Sequence, residues 1–327
     1  VNGYVISGGH ALYHQDRVAF DLCFEEWQNS VRQDRANHIE KVLSFRSNRG
    51  FVEMLASVVS QGLVVPFVGA GVSIPCNKEG WRSFLCRQAE LAEMGPVGTR
   101  LDQGEYEEVA QEIIAQRGRH MFDLEVEARY SSKAELSGPV LQIRALTEKF
   151  VITTNFDEVL ELAFRTQDSP FSEVWHPASI PDEVIRVSTG PDSTALIKLH
   201  GDSKYANGRV FTKSEYDLFY GAPLDMDRPL PKLLATLYSR QCMLFIGCSL
   251  CSDRTLDVFR QTIQREGAGR VSRHFAILEC PDDGDILDRE KFLTEINIVP
   301  IWFPKGDFTA IEALLEYLIQ ATGRLQT

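Results

Sequence analysis

The stretch Leu63 to Ser73, reading LVVPFVGAGVS, constrains this chain more than any other. Its apolar run of Leu63, Val64, Val65, Phe67 and Val68 fits a strand buried on both faces of a parallel sheet. The run passes straight into Gly69-Ala70-Gly71. Side chains this small let a backbone turn sharply and let a ligand approach its amides. Past Ser73 and Pro75, the pattern around Trp81, Phe84 and Leu85 reads as helical. Strand, glycine turn and helix in that order mark where open α/β sheets bind a nucleotide diphosphate. G-x-G turns are common, so the motif needs support from elsewhere in the chain.

Three later stretches supply it. Phe150 to Thr154 is a second strand and breaks at Asn155-Phe156-Asp157. Ala195 to Leu199 is a third and ends in His200-Gly201-Asp202. Gln241 to Ile246 is a fourth and ends in Gly247-Cys248-Ser249-Leu250. Each places polar or glycine residues at the carboxyl end of a strand, where functional groups gather in this architecture. Asp157 is equally suited to capping the helix that follows, and His200 to a plain hydrogen-bonded place at the sheet edge.

Bulk properties narrow the class. A chain of 327 residues with 44% apolar and 24% charged residues is long enough for one large α/β domain with an appendage. A net charge of −12 argues against a nucleic-acid backbone or an anionic membrane as the main partner. The seven cysteines are odd in number and scattered, as in a cytoplasmic protein with reduced thiols. Cys248-Ser-Leu-Cys251 is the sole C-x-x-C pair, and a tetrahedral zinc site needs two further ligands, so no metal is expected. No run reaches the roughly 20 apolar residues of a membrane helix. The opening VNGYVISGGH lacks the basic and apolar segments of a signal peptide. It also lacks Met, as a segment of a longer protein would.

The expected organisation is an α/β, Rossmann-like parallel sheet with two helical additions. Residues 1–48 form a helical N-terminal appendage, with Val18, Leu22, Phe24, Trp27, Val31, Ile39, Val42 and Leu43 at helical spacing. His10, His14 and His38 have no partner at metal-ligand spacing and read as surface residues. Residues 49–327 form the main domain, with a helical insertion at about 80–147 that covers the site as a lid or supports it. Ser47 to Gly50 reads as a loop, Phe171 to Pro191 as loop with a strand near Val184–Val187, and Val210-Phe211 as a short strand entering a helix.

Taken in order, Gly69-Ala-Gly-Val-Ser73, Thr153-Thr-Asn-Phe-Asp157, Leu199-His-Gly-Asp202 and Gly247-Cys-Ser-Leu250 resemble the NAD-binding core of the sirtuin (SIR2) family, over Val64 to about Leu278. Two departures point to one branch. Protein-deacylating sirtuins carry P-D-F-R after the first glycine loop, where this chain has Ser73-Ile-Pro-Cys-Asn-Lys-Glu-Gly-Trp81. They also carry four zinc-binding cysteines after the H-G segment, and no cysteine lies between His200 and Gln241 here. The Trp81 segment, T-T-N-F-D and the Lys213-x-x-Tyr216 stretch look like the SIR2-like NAD-hydrolysing effectors of bacterial anti-phage defence, Thoeris-type proteins among them.

That resemblance implies an NAD glycohydrolase that cleaves NAD, its substrate, to nicotinamide and ADP-ribose. It implies Asn155 at the nicotinamide ribose and the attacking water, His200 as general base and Asp157 as an orienting group. Gly69, Ala70, Gly71 and Ser73 would cradle the diphosphate. Thr154 would line the site, and Gly247 with Ser249 would approach the phosphate or the adenosine ribose. Trp81 fits either the pocket wall or the core. An NAD-dependent protein deacylase and a catalytically silent NAD or ADP-ribose sensor are the alternatives. The resemblance further implies a homo-oligomer, held quiet by assembly or by a regulatory protein or nucleotide signal.

Overall fold

The computed structural model describes residues 13–147, 149–180, 194–206, 208–251, 253–282 and 284–321. Seven strands, β1 (Val64–Val68), β2 (Phe150–Thr153), β3 (Glu173–Trp175), β4 (Ala195–Lys198), β5 (Cys242–Ile246), β6 (His274–Glu279) and β7 (Ile298–Phe303), form one sheet in the order β3-β4-β2-β1-β5-β6-β7. Every pairing is parallel. The fold is therefore α/β and Rossmann-like. β1 lies at the centre with β2 on one side and β5 on the other, so the chain reverses its direction across the sheet beside β1. Ligands of open parallel sheets bind at the strand ends where this reversal opens a crevice.

Thirteen helical segments of four or more residues accompany the sheet among the described residues. They are α1 (Arg17–Ser44), α2 (Asn48–Ser60), α3 (Trp81–Leu91), α4 (Gly98–Asp102), α5 (Tyr106–Arg117), α6 (Arg119–Tyr130) and α7 (Val140–Ile143), then α8 (Val159–Thr166), α9 (Lys213–Tyr220), α10 (Pro229–Arg240), α11 (Arg254–Glu266), α12 (Ile286–Glu295) and α13 (Thr309–Ala321). Alternate residues of a strand face opposite sides, and β1 shows the consequence. Val65 and Phe67 join a core with Leu234, Leu237 and Tyr238 of α10 and Phe259 of α11. Val64 and Val68 join another with Val52, Leu55 and Val59 of α2 and Leu314 and Leu318 of α13. Both faces of the sheet are covered, which is why β1 and β5 are apolar at every position.

The insertion has a core of its own. Phe84, Leu85, Val109, Ile113, Phe122 and Val126 pack together and meet the main domain at Phe156 and Phe211. Trp81 is half-buried against this cluster, with its ring stacked on Phe84 and Phe211 at 5.1 and 5.2 Å.

Local structure departs from the sequence expectation in four places. Ser47–Gly50 is not a loop, because α2 begins at Asn48. The buried Asn48 amide donates to Val42 O and Trp302 O, which fixes the turn between α1 and α2. The Phe171–Pro191 stretch contains β3, too short for a periodic signal, and the strand expected at Val184–Val187 lies outside the described residues. Val210 and Phe211 are not a strand: they lead to a capping box in which the Thr212 and Glu215 side chains bond each other's amides and start α9. Finally, α1 is a single helix of 28 residues that packs on α2 and α13, yet among the side chains described only those at its C-terminal end are buried apolar ones. Val18, Leu22, Phe24 and Trp27 are exposed. His38 is half-buried and lies 3.1 Å from Asp307; His10 is outside the described residues.

Candidate active site

The loops after β1, β2, β4 and β5 meet around one cavity of about 450 Å³. Gly69, Ala70, Ser73, Thr154, Asn155, Asp157, His200, Gly247 and Ser249 all line it. Gly71 is the exception among the residues singled out from the sequence. It lines a second cavity of about 820 Å³ over the ends of β5, β6 and β7. The two cavities share Ile74, Gly247, Cys248, Ser249 and Cys251 as walls.

The glycines of the first loop are explained by backbone packing. A side chain on Gly69 would lie 2.5 Å from Gly247 O, and one on Gly71 would lie 2.9 Å from Gly247 Cα. Gly247 itself has φ +68°, and a side chain there would meet Val72 N at 2.7 Å. The loop's amides are largely occupied too. Gly69 N–H donates to Ile246 O, Gly71 to Gly247 O, Val72 to Gly69 O and Ser73 to Ala70 O. Among the described residues, Ala70 N–H alone in this run donates to no protein group. The open cradle expected from the motif is thus reduced to one amide beside the cavity.

Asn155 and Asp157 stand just past the end of β2 and form a short polar chain with Ser73. The Asn155 amide donates to Gly69 O and to Ser73 Oγ, each at 3.1 Å. Ser73 Oγ–H then donates to Asp157 Oδ1 at 3.2 Å, which also accepts Val159 N–H at 3.0 Å. With both N–H bonds occupied, Asn155 has its carboxamide oxygen left to offer a ligand. Burial pushes the Asp157 carboxyl above the usual carboxylate range, against the pull of the Val159 amide, Lys198 and Ser73.

His200 follows β4. Gly201 after it has φ +87°, and a side chain there would touch Gly208 O and Arg209 Cα at 2.8 and 2.9 Å, so the turn requires glycine. Lys198, fully buried, holds this loop to the loop after β2: its ammonium donates to Asp157 O at 2.8 Å, Glu161 Oε1 at 2.8 Å and Asp202 Oδ2 at 2.6 Å. The His200 ring is buried and bonds Tyr216 Oη through Nε2 at 3.1 Å. Burial holds its pKa below the ordinary histidine value, with Asp253 opposing, so the ring is neutral near pH 7.

The insertion is tied down on both sides of the cavity. Arg254 at the start of α11 pairs with Glu107 of α5 at 2.6 Å and with Asp217 of α9 at 2.6 Å. Arg209 pairs with Asp123 of α6 at 2.8 Å, and Arg119 pairs with Glu215. Trp81, Tyr106, Glu107 and Tyr130 contribute to the cavity wall, so the insertion supplies part of that wall.

Comparison with known proteins now bears on this arrangement. Residues 149–301 match the model of the SIR2-like domain. That stretch runs from the start of β2 into β7 and takes in Asn155, Asp157, His200 and Gly247. That stretch, just under half of the chain, is similar to a SIR2-like domain. Over 192 residues the chain is 26% identical to defense-associated sirtuin 2 of Bacillus subtilis, a match that covers 58% of this chain and 18% of that protein's length. Overlays on solved structures include one described under the structural basis for the mechanism and regulation of Sir2 enzymes. It has a TM-score of 0.45 and 14% identity over 86% of this chain and 99% of that one. A mutant Sir2 homologue in complex with ADP ribose gives 0.45 and 14% over 84% and 99%.

Sequence reasoning missed several residues around the two cavities. Glu107, Tyr216 and Asp253 line the first cavity with His200, Arg254 pairs with Glu107 beside it, and Arg289, Glu279 and Trp302 line the second cavity. The Thr212-x-x-Glu215 capping box was a legible sign that α9 starts there and carries Tyr216 on its first turn. Nothing in the spacing connects Arg254 with Glu107, 147 positions earlier.

Proposed function

We propose that this protein hydrolyses NAD to nicotinamide and ADP-ribose, and that it does so as a defence effector that depletes NAD during phage infection. One observation carries this reading: Asn155 and His200, from separate strand ends, face one cavity that adjoins a second across Gly247 and Ser249. A dinucleotide has two halves to house. The nicotinamide ribose belongs in the first cavity between Asn155 and His200. The adenosine occupies the second, with the diphosphate crossing Gly247–Ser249 near Ala70 N–H.

The chemistry asks little of a general acid. When the bond between ribose C1′ and the pyridinium nitrogen breaks, the pair stays on nitrogen and nicotinamide leaves neutral. Positive charge develops on the ribose, and the site's work is orientation and electrostatics. The Asn155 oxygen accepts a hydrogen from the attacking water. Neutral His200 takes the proton released as the new C1′–O bond forms. Ser73 and Asp157 hold the Asn155 carboxamide in that orientation. No metal is assigned to this reaction.

Purified protein incubated with NAD, with products separated by liquid chromatography, tests the proposal. Nicotinamide and ADP-ribose appear in equal amounts, and Asn155→Ala and His200→Ala each lower the rate by about 100-fold or more. Unchanged turnover in either folded variant removes the assignment. Turnover that requires an acetylated peptide favours the deacylase. Tight nucleotide binding with no nicotinamide release favours a sensor. A homo-oligomer, gated by a protein or nucleotide signal, is part of the proposal; a fully active monomer in light scattering contradicts it.

A further inference from the structure

We propose that Tyr216 is a positioning residue for His200: its oxygen accepts the imidazole Nε2–H and so fixes the tautomer in which Nδ1 is free to take a proton. The inference rests on the glycohydrolase reading, in which His200 is the base.

Three observations converge. The Tyr216 Oη to His200 Nε2 distance is 3.1 Å, and the rings meet edge to face at 5.4 Å. Both residues are buried and line the candidate cavity. Tyr216 is itself held from two sides. Its ring stacks on Tyr220 at 5.7 Å, and the Arg254 guanidinium lies 5.5 Å from its centre while paired to Glu107 and Asp217. Among the described residues, no carboxylate hydrogen-bonds the His200 ring. Asp253, the acidic group that acts on it electrostatically, receives Thr255 N–H at 2.8 Å as the cap of α11. The place that a carboxylate or carbonyl ordinarily takes beside a histidine base is filled by a phenol.

The direction of the bond follows from the role. A neutral imidazole has one N–H and one lone pair. Were Tyr216 to donate to Nε2, the ring proton would sit on Nδ1 and no lone pair would remain for water or a ribose hydroxyl. With Nε2–H on Tyr216, the O–H bond of that water or hydroxyl breaks and an N–H bond forms at Nδ1. The electron pair remains on oxygen. The resulting imidazolium keeps its Nε2–H bond to the phenol, which steadies the charge.

Nitrogen-15 NMR of histidine-labelled protein reads the tautomer directly, without substrate. In the wild type His200 is expected as the Nε2–H form. In Tyr216→Phe, which removes one oxygen, a substantial Nδ1–H population appears, and kcat falls by about 10-fold with KM within about 2-fold. An Nδ1–H tautomer in the wild type overturns the proposal, and so does the same tautomer ratio in both proteins. A wild type that leaves NAD intact would remove the base role, while the tautomer spectrum still decides what Tyr216 does. Should Tyr216→Phe fail to fold, the wild-type spectrum alone decides.

Discussion

The Asn155 carboxamide directs both N–H bonds into the protein, to Gly69 O and Ser73 Oγ, which leaves its oxygen to accept from a ligand. Removing the Ser73 hydroxyl frees that amide to rotate and leaves Asp157 Oδ1 with the Val159 amide alone. We expect Ser73→Ala to lower kcat by about 10-fold or more with little change in KM, in steady-state assays of NAD hydrolysis. A change confined to KM would instead point to a binding role. The same scale carries a pH dependence. His200 acts as a base only when neutral, so activity falls as pH drops through its pKa. Burial places that pKa below the ordinary 6.5. The acid limb of kcat/KM is therefore expected below pH 6.5; a limb above 7 contradicts the stated environment.

Among the elements, the contact between the β1 and β5 loops and the clamp between the β2 and β4 loops hold the crevice in shape. Gly247→Ala forces a side chain into a positive-φ residue and against Val72 N. Left-handed backbone and overpacking together cost roughly 2–5 kcal/mol, which urea unfolding would register. Lys198→Met leaves the carboxylates of Glu161 and Asp202 without their shared cation and should cost about 3–5 kcal/mol by the same measurement. A loss under about 1 kcal/mol in either variant would contradict the packing described. The strands that flank the site were legible because β1 and β5 are unbroken apolar runs and β2 and β4 nearly so, each followed closely by Gly, Asn or His. Their order in the chain also located the site residues. β3 was not legible, since Glu173-Val-Trp175 is too short to show a period. The packing of the glycine loop was not legible, because sequence cannot show that Gly69 and Gly71 face the backbone of Gly247. Tyr216 was visible only as part of a stretch; its contact with His200 depends on how α9 returns to the cavity.

For the whole molecule, acid lability follows from a buried histidine far from the chemistry. His274 accepts Met243 N–H through Nδ1 at 3.1 Å and stacks on Tyr238 at 3.7 Å. Burial pushes its pKa down to about 3. The unfolded chain titrates near 6.5, so this contribution to stability is complete above that pH. It is lost progressively as pH falls toward 3. We expect the urea midpoint to drop between pH 7 and pH 4, and to drop less in His274→Gln. Equal pH slopes for the two proteins would remove His274 as the cause. The larger claim is that four chain segments far apart in sequence build one crevice for one dinucleotide. It is tested most directly by a crystal structure of His200→Ala, in which turnover is expected to be slowed, grown with NAD. The account predicts the nicotinamide ribose beside Asn155, the diphosphate over Gly247–Ser249 and the adenosine at the ends of β5, β6 and β7. NAD bound anywhere else, or both cavities empty at saturating NAD, would contradict it.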